Sequence, residues 1–305
     1  METDQTNYKE RDTFLERNFM VIAYIFLILT TVSWGSTFII TKTVIQDVPL
    51  FSYLTLRFLV ALIGFLPCSI YIKKINKKIL LMGFISGLIY FAAIATQTIG
   101  LKSTTAGKAG FITGLNTIMV PFLGWIFFRE SFKKRVWLAA SISIVGMGLL
   151  FLEGEAGIIF GDILVLICAL FCALFIIYND RAVRQVNVYL YSIIQLSTIN
   201  ICCFSTSLVL NEPYSQIPFD SIGFWLIIGY MGVIATTFTF FFQNWSQQHV
   251  NPAATAIIFA LEPVFAAFFG FIFGNEILSP LGIIGAILIL IAIFITIIKK
   301  KAIKV

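Results

Sequence analysis

Long apolar segments separated by short polar connectors fill almost the whole sequence. About 20 helical residues, rising 1.5 Å each, cross the roughly 30 Å hydrocarbon core of a bilayer, so each long segment predicts one membrane-spanning helix. Because the connectors are short, neighbouring spans are expected to run antiparallel. The pattern predicts ten spans, at about residues 20–42, 50–72, 79–101, 105–128, 135–152, 158–178, 188–210, 222–246, 253–273 and 280–298.

The composition supports a membrane protein. Of the 305 residues, 59% are hydrophobic and 12% are charged, and the mean hydropathy is +0.96. Soluble domains carry about 25% charged residues. The pI near 9.0 would favour nucleic acid as the partner of a soluble protein, but here the basic residues lie in short loops beside spans. We therefore expect an all-α integral membrane protein with the lipid bilayer, and no nucleic acid, as a partner.

The basic residues also predict the orientation of the chain. Most of the 21 lysines and arginines fall in the two tails and in the connectors after the second, fourth and sixth spans, including Lys73. Because basic loops stay on the cytoplasmic side, both termini are predicted to be cytoplasmic, in the plasma (bacterial inner) membrane. Residues 1–19 form a polar cytoplasmic tail and residues 299–305 a basic one in this prediction.

An internal match relates two parts of the sequence. A shift of 146 residues aligns the third and fourth spans with the eighth and ninth without a gap. Each single match is at chance level in a chain rich in Phe and Gly, but the ungapped register is not. The matched pairs include Gln97 with Gln243, Leu115 with Leu261, Gly124 with Gly270 and Glu130 with Glu276.

The match predicts two structural repeats, at residues 20–152 and 153–298, with five spans each. Because five is odd, the second repeat enters the membrane inverted relative to the first. Inverted repeats recur in transporters, which bind their cargo near the bilayer midplane where the repeats meet. The predicted fold is therefore ten transmembrane helices, arranged as two inverted five-helix repeats around a central cavity.

Five sequence motifs in order carry a family resemblance: WGSTF in the first span, LRFLVA in the second, AGFITGLNTIMVPFLGWIFFRE in the fourth, GDILVLICALFCALF at the start of the second half and LEPVFAAFFGFIFGNE in the ninth span. With them the chain resembles the drug/metabolite transporter superfamily, in particular the EamA-type ten-span exporters. The resemblance covers the chain between its polar tails. It implies a two-bundle fold with a central cavity and export of small metabolites, often amino acids or related compounds.

Two polar residues occupy matching central positions in the predicted repeats. Glu262 lies near the middle of the ninth span, and the 146-residue shift places it on Asn116 in the fourth. A carboxylate at the centre of a membrane helix costs about 2.5–3.5 kcal/mol on insertion scales, so it is expected to face a cavity or a partner. Both side chains are predicted to line the cargo cavity; cross-linking of helices by hydrogen bonds is the alternative.

Further residues are predicted to contribute to the cavity. Gln97 and Gln243 form a second matching pair, and Asn244 follows directly. Buried glutamines need hydrogen-bond partners, which either the cargo or a neighbouring helix can supply. Trp34 in the first span is a cavity candidate as well, with packing or interface anchoring as its alternative.

Two prolines are predicted to break or hinge helices. Pro263 has no N–H, so the carbonyl of Phe259 loses its helical donor and the helix can bend there. Pro121 in the fourth span is the other hinge candidate.

Three charged residues near the ends of spans are candidates for a gate or a structural role. Lys108, in the first turn of the fourth span, either snorkels to water or binds an anionic group. Arg57 lies deeper and needs a partner or a water path, and its setting favours a structural role. For Asp162 an N-cap of the sixth span is favoured over a proton relay.

These patterns predict a secondary transporter that exports small organic metabolites, amino acids or related compounds and also drugs, by alternating access. A buried carboxyl such as Glu262 can take up and release a proton, so protons are a candidate coupling ion. The alternatives are a non-transporting structural or regulatory membrane protein and, less favoured, a membrane-embedded transferase. The five cysteines lie inside apolar runs, so no metal and no cofactor is expected. No enzyme is predicted, and a monomer and a homodimer both stay open.

Overall fold

The computed structural model describes residues 2–67, 70, 74–129, 131–151, 158–273 and 280–297. The basic tail predicted at 299–305, Lys73, Cys68, and the matched pair Glu130 and Glu276 lie outside the described residues.

Short connectors divide the chain into helices, as the apolar pattern predicts. The N-terminal part contains α1 (Glu2–Asp47), α2 (Leu50–Gly64), α3 (Lys77–Leu101), α4 (Ala106–Gly114), α5 (Asn116–Phe128) and α6 (Lys134–Phe151). The C-terminal part contains α7 (Phe160–Val183), α8 (Val188–Val209), α9 (Ile222–Gly229), a π-helical segment (Tyr230–Phe238), α10 (Thr239–Ser246), α11 (Pro252–Phe259), α12 (Glu262–Phe273) and α13 (Pro280–Ile297).

Polar residues in the connectors start several of these helices. Asn76, Thr105, Asn187 and Asn251 each accept a hydrogen bond from a backbone N–H in the first turn of α3, α4, α8 and α11, at 2.9 to 3.3 Å. A side-chain acceptor at this position satisfies one of the free N–H groups at a helix start and contributes about 1 kcal/mol. Local sequence therefore determines where these helices begin.

Within the described residues, seven helices are long and apolar enough to cross a membrane, when α4 with α5, α9 with α10, and α11 with α12 are each counted as one. The apolar helices Leu50–Gly64 and Pro280–Ile295 are shorter. The predicted all-helical class is confirmed, and the chain is a multi-pass membrane protein. The count of ten spans and the inverted repeats stay predictions. Helix α1 also runs through the predicted polar tail, since it begins at Glu2.

The helices are interleaved along the chain rather than packed in sequence order. Helix α3 packs against α7 and α8, and α2 packs against α8 and the π-helical segment. Helix α1 packs against α10, α11 and α12, while α4 and α5 pack against α7, α11 and α12. Helices α6 and α13 form a separate close pair.

Glycine allows the closest of these approaches. A Cβ at Gly87 in α3 would lie 2.7 Å from the carbonyl oxygen of Gln195 in α8, and a Cβ at Gly146 in α6 would lie 2.6 Å from the carbonyl oxygen of Gly285 in α13. Small residues at such positions let membrane helices approach backbone to backbone. The close contacts of α3 with α8 and of α6 with α13 therefore require glycine, because a side chain at either position would clash with the partner backbone.

The surface of the helix bundle exposes large apolar side chains, and its apolar interior also contains buried polar ones. Large apolar side chains such as Phe127, Leu138 and Phe294 are exposed, whereas asparagines and glutamines such as Asn179 and Gln195 are fully buried. A membrane protein needs this arrangement, because lipid solvates apolar side chains and provides no hydrogen bonds.

Candidate functional site

Two helices of the bundle are interrupted at matching positions. The break between α4 and α5 is at Leu115, and the break between α11 and α12 is at Ala260 and Leu261. At each break a backbone hydrogen bond joins residues three apart instead of the four of an α-helix. Leu115 N donates to Ile112 O at 3.1 Å, and Leu261 N donates to Ile258 O at 3.0 Å.

The chemistry of the two breaks differs. Pro263 lies in the first turn of α12, where its missing N–H stops the preceding helix at Phe259. Pro121 instead lies within the continuous helix α5, six residues after the other break. The hydroxyl of Thr117 in α5 donates to Ala256 O in α11 at 3.1 Å and links the two broken helices.

Asn116 and Glu262 begin the second segments of the broken helices. Their residue exposures are 3% and 8%, so both are buried, and both line one central cavity. In the part of the chain that the structure describes, no group donates a hydrogen bond to the Glu262 carboxyl. The complete lining is Trp34, Thr37, Arg57, Tyr90, Ala93, Ile94, Gln97, Thr113, Asn116, Cys168, Cys172, Phe175, Ile176, Gln243, Phe259 and Glu262.

Aromatic rings form much of the cavity wall. Trp34 packs against Phe259 with ring centroids 5.2 Å apart, and Tyr90 packs against Phe175 at 4.9 Å. The centre of a water molecule can reach about 40 Å³ of the cavity, which is room for a few water molecules. Mostly apolar walls with a few placed polar groups are typical of small-molecule sites. This conformation is too narrow for a large solute.

Two amide oxygens in the cavity lining are buried without a hydrogen-bond donor. They are Oδ1 of Asn116 and Oε1 of Gln243. A buried acceptor without a partner costs about 1–3 kcal/mol, and most buried polar atoms in proteins have a partner. Together with the Glu262 carboxyl, the two oxygens give the cavity three acceptors that a ligand can satisfy.

A chain of amides fixes the orientation of Gln243. The carbonyl of Ile176 can only accept, and Nε2 of Gln247 donates to it at 2.9 Å. Oε1 of Gln247 therefore faces the other way, where it accepts from Nδ2 of Asn179 at 2.7 Å and from Nε2 of Gln243 at 3.4 Å. With its Nε2 used in this way, Gln243 presents its oxygen to the cavity.

Arg57 brings a positive charge to the same cavity. It is 2% exposed, its Nε donates to Oγ1 of Thr236 at 2.9 Å, and its guanidinium lies 5.6 Å from the ring centre of Phe58. Thr236 belongs to the π-helical segment, where its hydroxyl donates to Met231 O at 2.7 Å. π-Helical turns occur often at functional sites. Arg57 and Glu262 thus give the cavity one cationic and one acidic group.

Two further cavity candidates, Trp34 and Gln97, also lie in the cavity lining. Trp34 lines the cavity, with Nε1 donating to Ala235 O at 3.2 Å and to Thr239 Oγ1 at 3.1 Å. Gln97 also lines it, and its Nε2 donates to Thr113 Oγ1 at 3.3 Å.

Asn244 does not line the cavity. Its oxygen accepts from Asn179 at 2.8 Å, and its Nδ2 donates to Ser192 Oγ at 2.8 Å and to Gln195 Oε1 at 3.0 Å. One residue after Gln243 on a helix, its side chain points about 100° away, into the contact with α7 and α8. These bonds link three helices beside the cavity.

Lys108 and Asp162 meet away from the cavity. Lys108 Nζ lies 2.6 Å from Asp162 Oδ2, and Asp162 also accepts from Thr104 Oγ1 at 2.6 Å and from Ile159 N at 3.0 Å. Lys42 Nζ donates to Thr104 O at 2.8 Å. This group, the Lys108–Asp162 cluster, ties the start of α4 to the start of α7 and to the end of α1.

Several residues of the cavity lining have no distinguishing signal in the sequence. Tyr90, Thr113 and Phe175 occur in apolar stretches that resemble any other span, so periodicity alone gave no signal for them. Cys168 and Cys172 are four residues apart and so share one face of the predicted sixth span, and this spacing is the one sequence signal for their position. Within the described residues, no group of three His, Cys, Asp or Glu side chains could hold a metal ion.

Comparisons with known proteins identify the family of the chain. A sequence model of a protein family, described as the EamA-like transporter family, matches residues 21–152 and 159–298. The chain is similar to an uncharacterized transporter of Archaeoglobus fulgidus, with 32% identity over 88% of this chain and 83% of the relative. It is also similar to the uncharacterized transporter YoaV of Bacillus subtilis, with 25% identity over 90% and 96% of the two chains.

A solved crystal structure has the same fold. It aligns with a TM-score of 0.73 at 15% sequence identity, over 94% of this chain and 98% of that chain. At this identity the likeness concerns the fold alone.

Proposed function

The chain belongs to the EamA-like transporter family, and we propose that it exports small organic metabolites across the plasma membrane by alternating access to the central cavity. The cargo is an amino acid or a related compound that carries an ammonium group. One observation carries this proposal: Asn116, Gln243 and Glu262 present three acceptors to a buried cavity and no donor of the described residues satisfies them.

The alternative role of these residues is to cross-link helices. Cross-linking residues have satisfied hydrogen bonds, as Asn244 has with partners on α7 and α8. Asn116 and Gln243 are as deeply buried as Asn244, yet their oxygens stay without donors. A ligand that supplies several N–H groups removes this cost, and a primary ammonium group has three. The acceptors therefore favour cargo binding.

The opposite charges of the cavity favour a zwitterion. Glu262 can hold an ammonium group, and Arg57 can bind a carboxylate through the guanidinium N–H groups that Thr236 and Tyr53 do not use. The rings of Trp34, Tyr90 and Phe259 offer apolar and π surface for the rest of the cargo. Amino acids and their close relatives combine these three features, whereas an anion without an amine would leave the acceptors unsatisfied.

The arrangement of helices supports two inverted repeats. The contact of α3 with α7 has a counterpart in the contact of α10 and the π-helical segment with α1, and the contact of α3 with α8 has one in that of the π-helical segment with α2. The helix breaks also match, since Leu115 and Leu261 are 146 residues apart. Exchange of the two predicted halves therefore preserves the packing, which suits a transporter that opens alternately to either side.

The energy source is a separate question. Proton uptake by Glu262 would couple export to a pH gradient, and facilitated diffusion or exchange would need no such step. The chain lacks a Walker motif, so ATP is not proposed as the direct source.

Uptake by proteoliposomes tests the proposed function. The protein is reconstituted and supplied with a panel of radiolabelled amino acids and amines, and counterflow is measured. We expect Glu262→Gln to reduce flux by about tenfold or more, because a charge-assisted hydrogen bond contributes about 1.5–3 kcal/mol and 1.4 kcal/mol is tenfold. Asp220→Asn, at an exposed loop acid, is the matched control and keeps full flux.

Flux of no panel member by the well-folded wild type would favour the structural or regulatory alternative. Chemical turnover of a panel member would favour the transferase. Equal flux in wild type and Glu262→Gln would remove the carboxyl from the proposed mechanism.

A further inference from the structure

Two thiols lie side by side in the wall of the cavity. Cys168 and Cys172 are one helical turn apart on α7, so their side chains share a face. Their Sγ atoms are 3.7 Å apart, and both residues line the cavity together with Glu262. Cys168 is buried and Cys172 is half-buried, so the pair is reached from the cavity.

The chain contains a second pair of cysteines that provides a contrast. Cys202 and Cys203 are consecutive residues on α8, so their side chains diverge by about 100° around the helix axis. Neither lines the cavity. One atom can therefore bridge the α7 pair easily, whereas the α8 pair is poorly placed for such a bridge.

We propose that Cys168 and Cys172 form a two-thiol binding site for trivalent arsenic compounds of the type R–As(OH)₂. Each thiol gives up its proton and forms one As–S bond, while each As–OH group leaves as water: R–As(OH)₂ + 2 RSH → R–As(SR)₂ + 2 H₂O. Arsenic stays trivalent throughout, so no oxidant or reductant is needed. Sulfur ligands suit a soft centre of this kind, and one arsenic atom replaces the contact between the two sulfurs.

Occupation of this site changes the cavity. In this conformation the cavity has room for only a few water molecules, so a bound organoarsenic group leaves no space for cargo. The two As–S bonds also hold the group beside Glu262 and the aromatic walls. A trivalent arsenical should therefore block cargo movement; this consequence, unlike the binding itself, rests on the proposed function.

Mass spectrometry of the purified full-length chain tests the binding, with phenylarsine oxide as the probe. Cys68, whose surroundings lie outside the described residues, is replaced by serine in every sample. We expect one phenylarsenic group per chain, with the loss of two thiol hydrogens. The adduct should survive an excess of a monothiol and be removed by a dithiol, because a dithiol offers the same two bonds to arsenic.

Variants locate the site. The double variant C168A/C172A should lose the monothiol-resistant adduct, and the matched control C202A/C203A should retain it. Retention of the adduct in C168A/C172A, or its loss in C202A/C203A, would overturn the assignment, as would the absence of any resistant adduct in the parent chain.

Flux measurements separate the site from the transport proposal. In proteoliposomes, phenylarsine oxide should abolish flux of the parent chain and of C202A/C203A. The C168A/C172A variant should show the same flux with the reagent as it shows without it, whatever its untreated flux is. An adduct at the α7 pair with normal flux would keep the two-thiol site and contradict the cavity as the cargo route. Protection of the thiols by saturating cargo would support both.

Discussion

Gln247 does not line the cavity, yet it determines what the cavity presents to a ligand. Its side chain lies between the Ile176 carbonyl and the amide of Gln243, and both ends of its own amide are used. Without it, Gln243 could rotate and present its NH₂ group instead of its oxygen. Gln247 is therefore a positioning residue for the acceptor set.

Gln247→Met should lower both stability and amine selectivity. The thioether keeps the length of the side chain but offers no N–H to Ile176, so we expect a loss of about 1–3 kcal/mol in the free energy of unfolding. Flux should fall for ammonium compounds and fall less for analogues in which the amine is replaced by a hydroxyl.

Thermal unfolding in detergent and counterflow with matched amine and hydroxyl cargo measure the two effects. Gln248→Met is the control: the side chain of Gln248 donates one hydrogen bond, to Val183 O, and does not line the cavity. Equal selectivity in Gln247→Met and wild type would mean that Gln243 needs no such support.

Some residues of the candidate site can be predicted from the sequence, and others cannot. Asn116 and Glu262 could be singled out because the cost of a polar group at bilayer depth is a property of the residue and its position. The orientation of Gln243 could not be, because it depends on contacts between α7 and α10 across about 70 residues of sequence. Arg57 was expected to be structural, and its position in the cavity lining depends on how α2 meets the π-helical segment.

At the scale of helices, two cation clusters join neighbouring elements at opposite ends of α7. The Lys108–Asp162 cluster ties the start of α7 to α4. Arg184, after the end of α7, donates to Gln248 O at 3.0 Å and Val250 O at 3.3 Å and pairs with Asp180. The two clusters therefore fix the two ends of α7 to neighbouring elements.

A double-mutant cycle should show that the two ion pairs differ in strength. For Asp162→Asn and Lys108→Met we expect a coupling of about 1–3 kcal/mol, since the Asp162 side chain is 4% exposed and also accepts two further hydrogen bonds. For Asp180→Asn and Arg184→Met, where the arginine is 43% exposed, the coupling should be about 0–1 kcal/mol.

Chemical unfolding in mild detergent measures both cycles. Equal coupling energies would contradict the expectation that the buried Lys108–Asp162 ion pair is stronger than the exposed Asp180–Arg184 pair.

The helices themselves were largely predictable, and their interruptions were not. Caps such as Asn76 and Asn251 follow from local chemistry, and the bend at Pro263 follows from its missing N–H. The break at Leu115 has no proline beside it, and the π-helical segment has no sequence signal of its own. Both depend on the packing of neighbouring helices.

At the scale of the whole molecule, the sequence predicted the helical class but not the neighbours of each helix. Hydropathy identifies spans one at a time, because each span meets the same lipid. The interleaving of α3 between α7 and α8 depends on complementary surfaces such as the one at Gly87, which only three-dimensional packing reveals. The 146-residue match came nearest to predicting this order, since it relates helices in pairs.

The central claim is that the cavity at the two helix breaks is the cargo route and opens alternately to each side of the membrane. Asn116→Cys in a chain without other cysteines, reconstituted in one orientation, tests it with a membrane-impermeant thiol reagent added to one side at a time. Phe127→Cys, at an exposed apolar position, is the control and should react only with a lipid-soluble reagent.

The account predicts that Cys at position 116 reacts from either side and that saturating cargo slows both reactions. Reaction with only the lipid-soluble reagent, or from one side whatever the cargo, would contradict it.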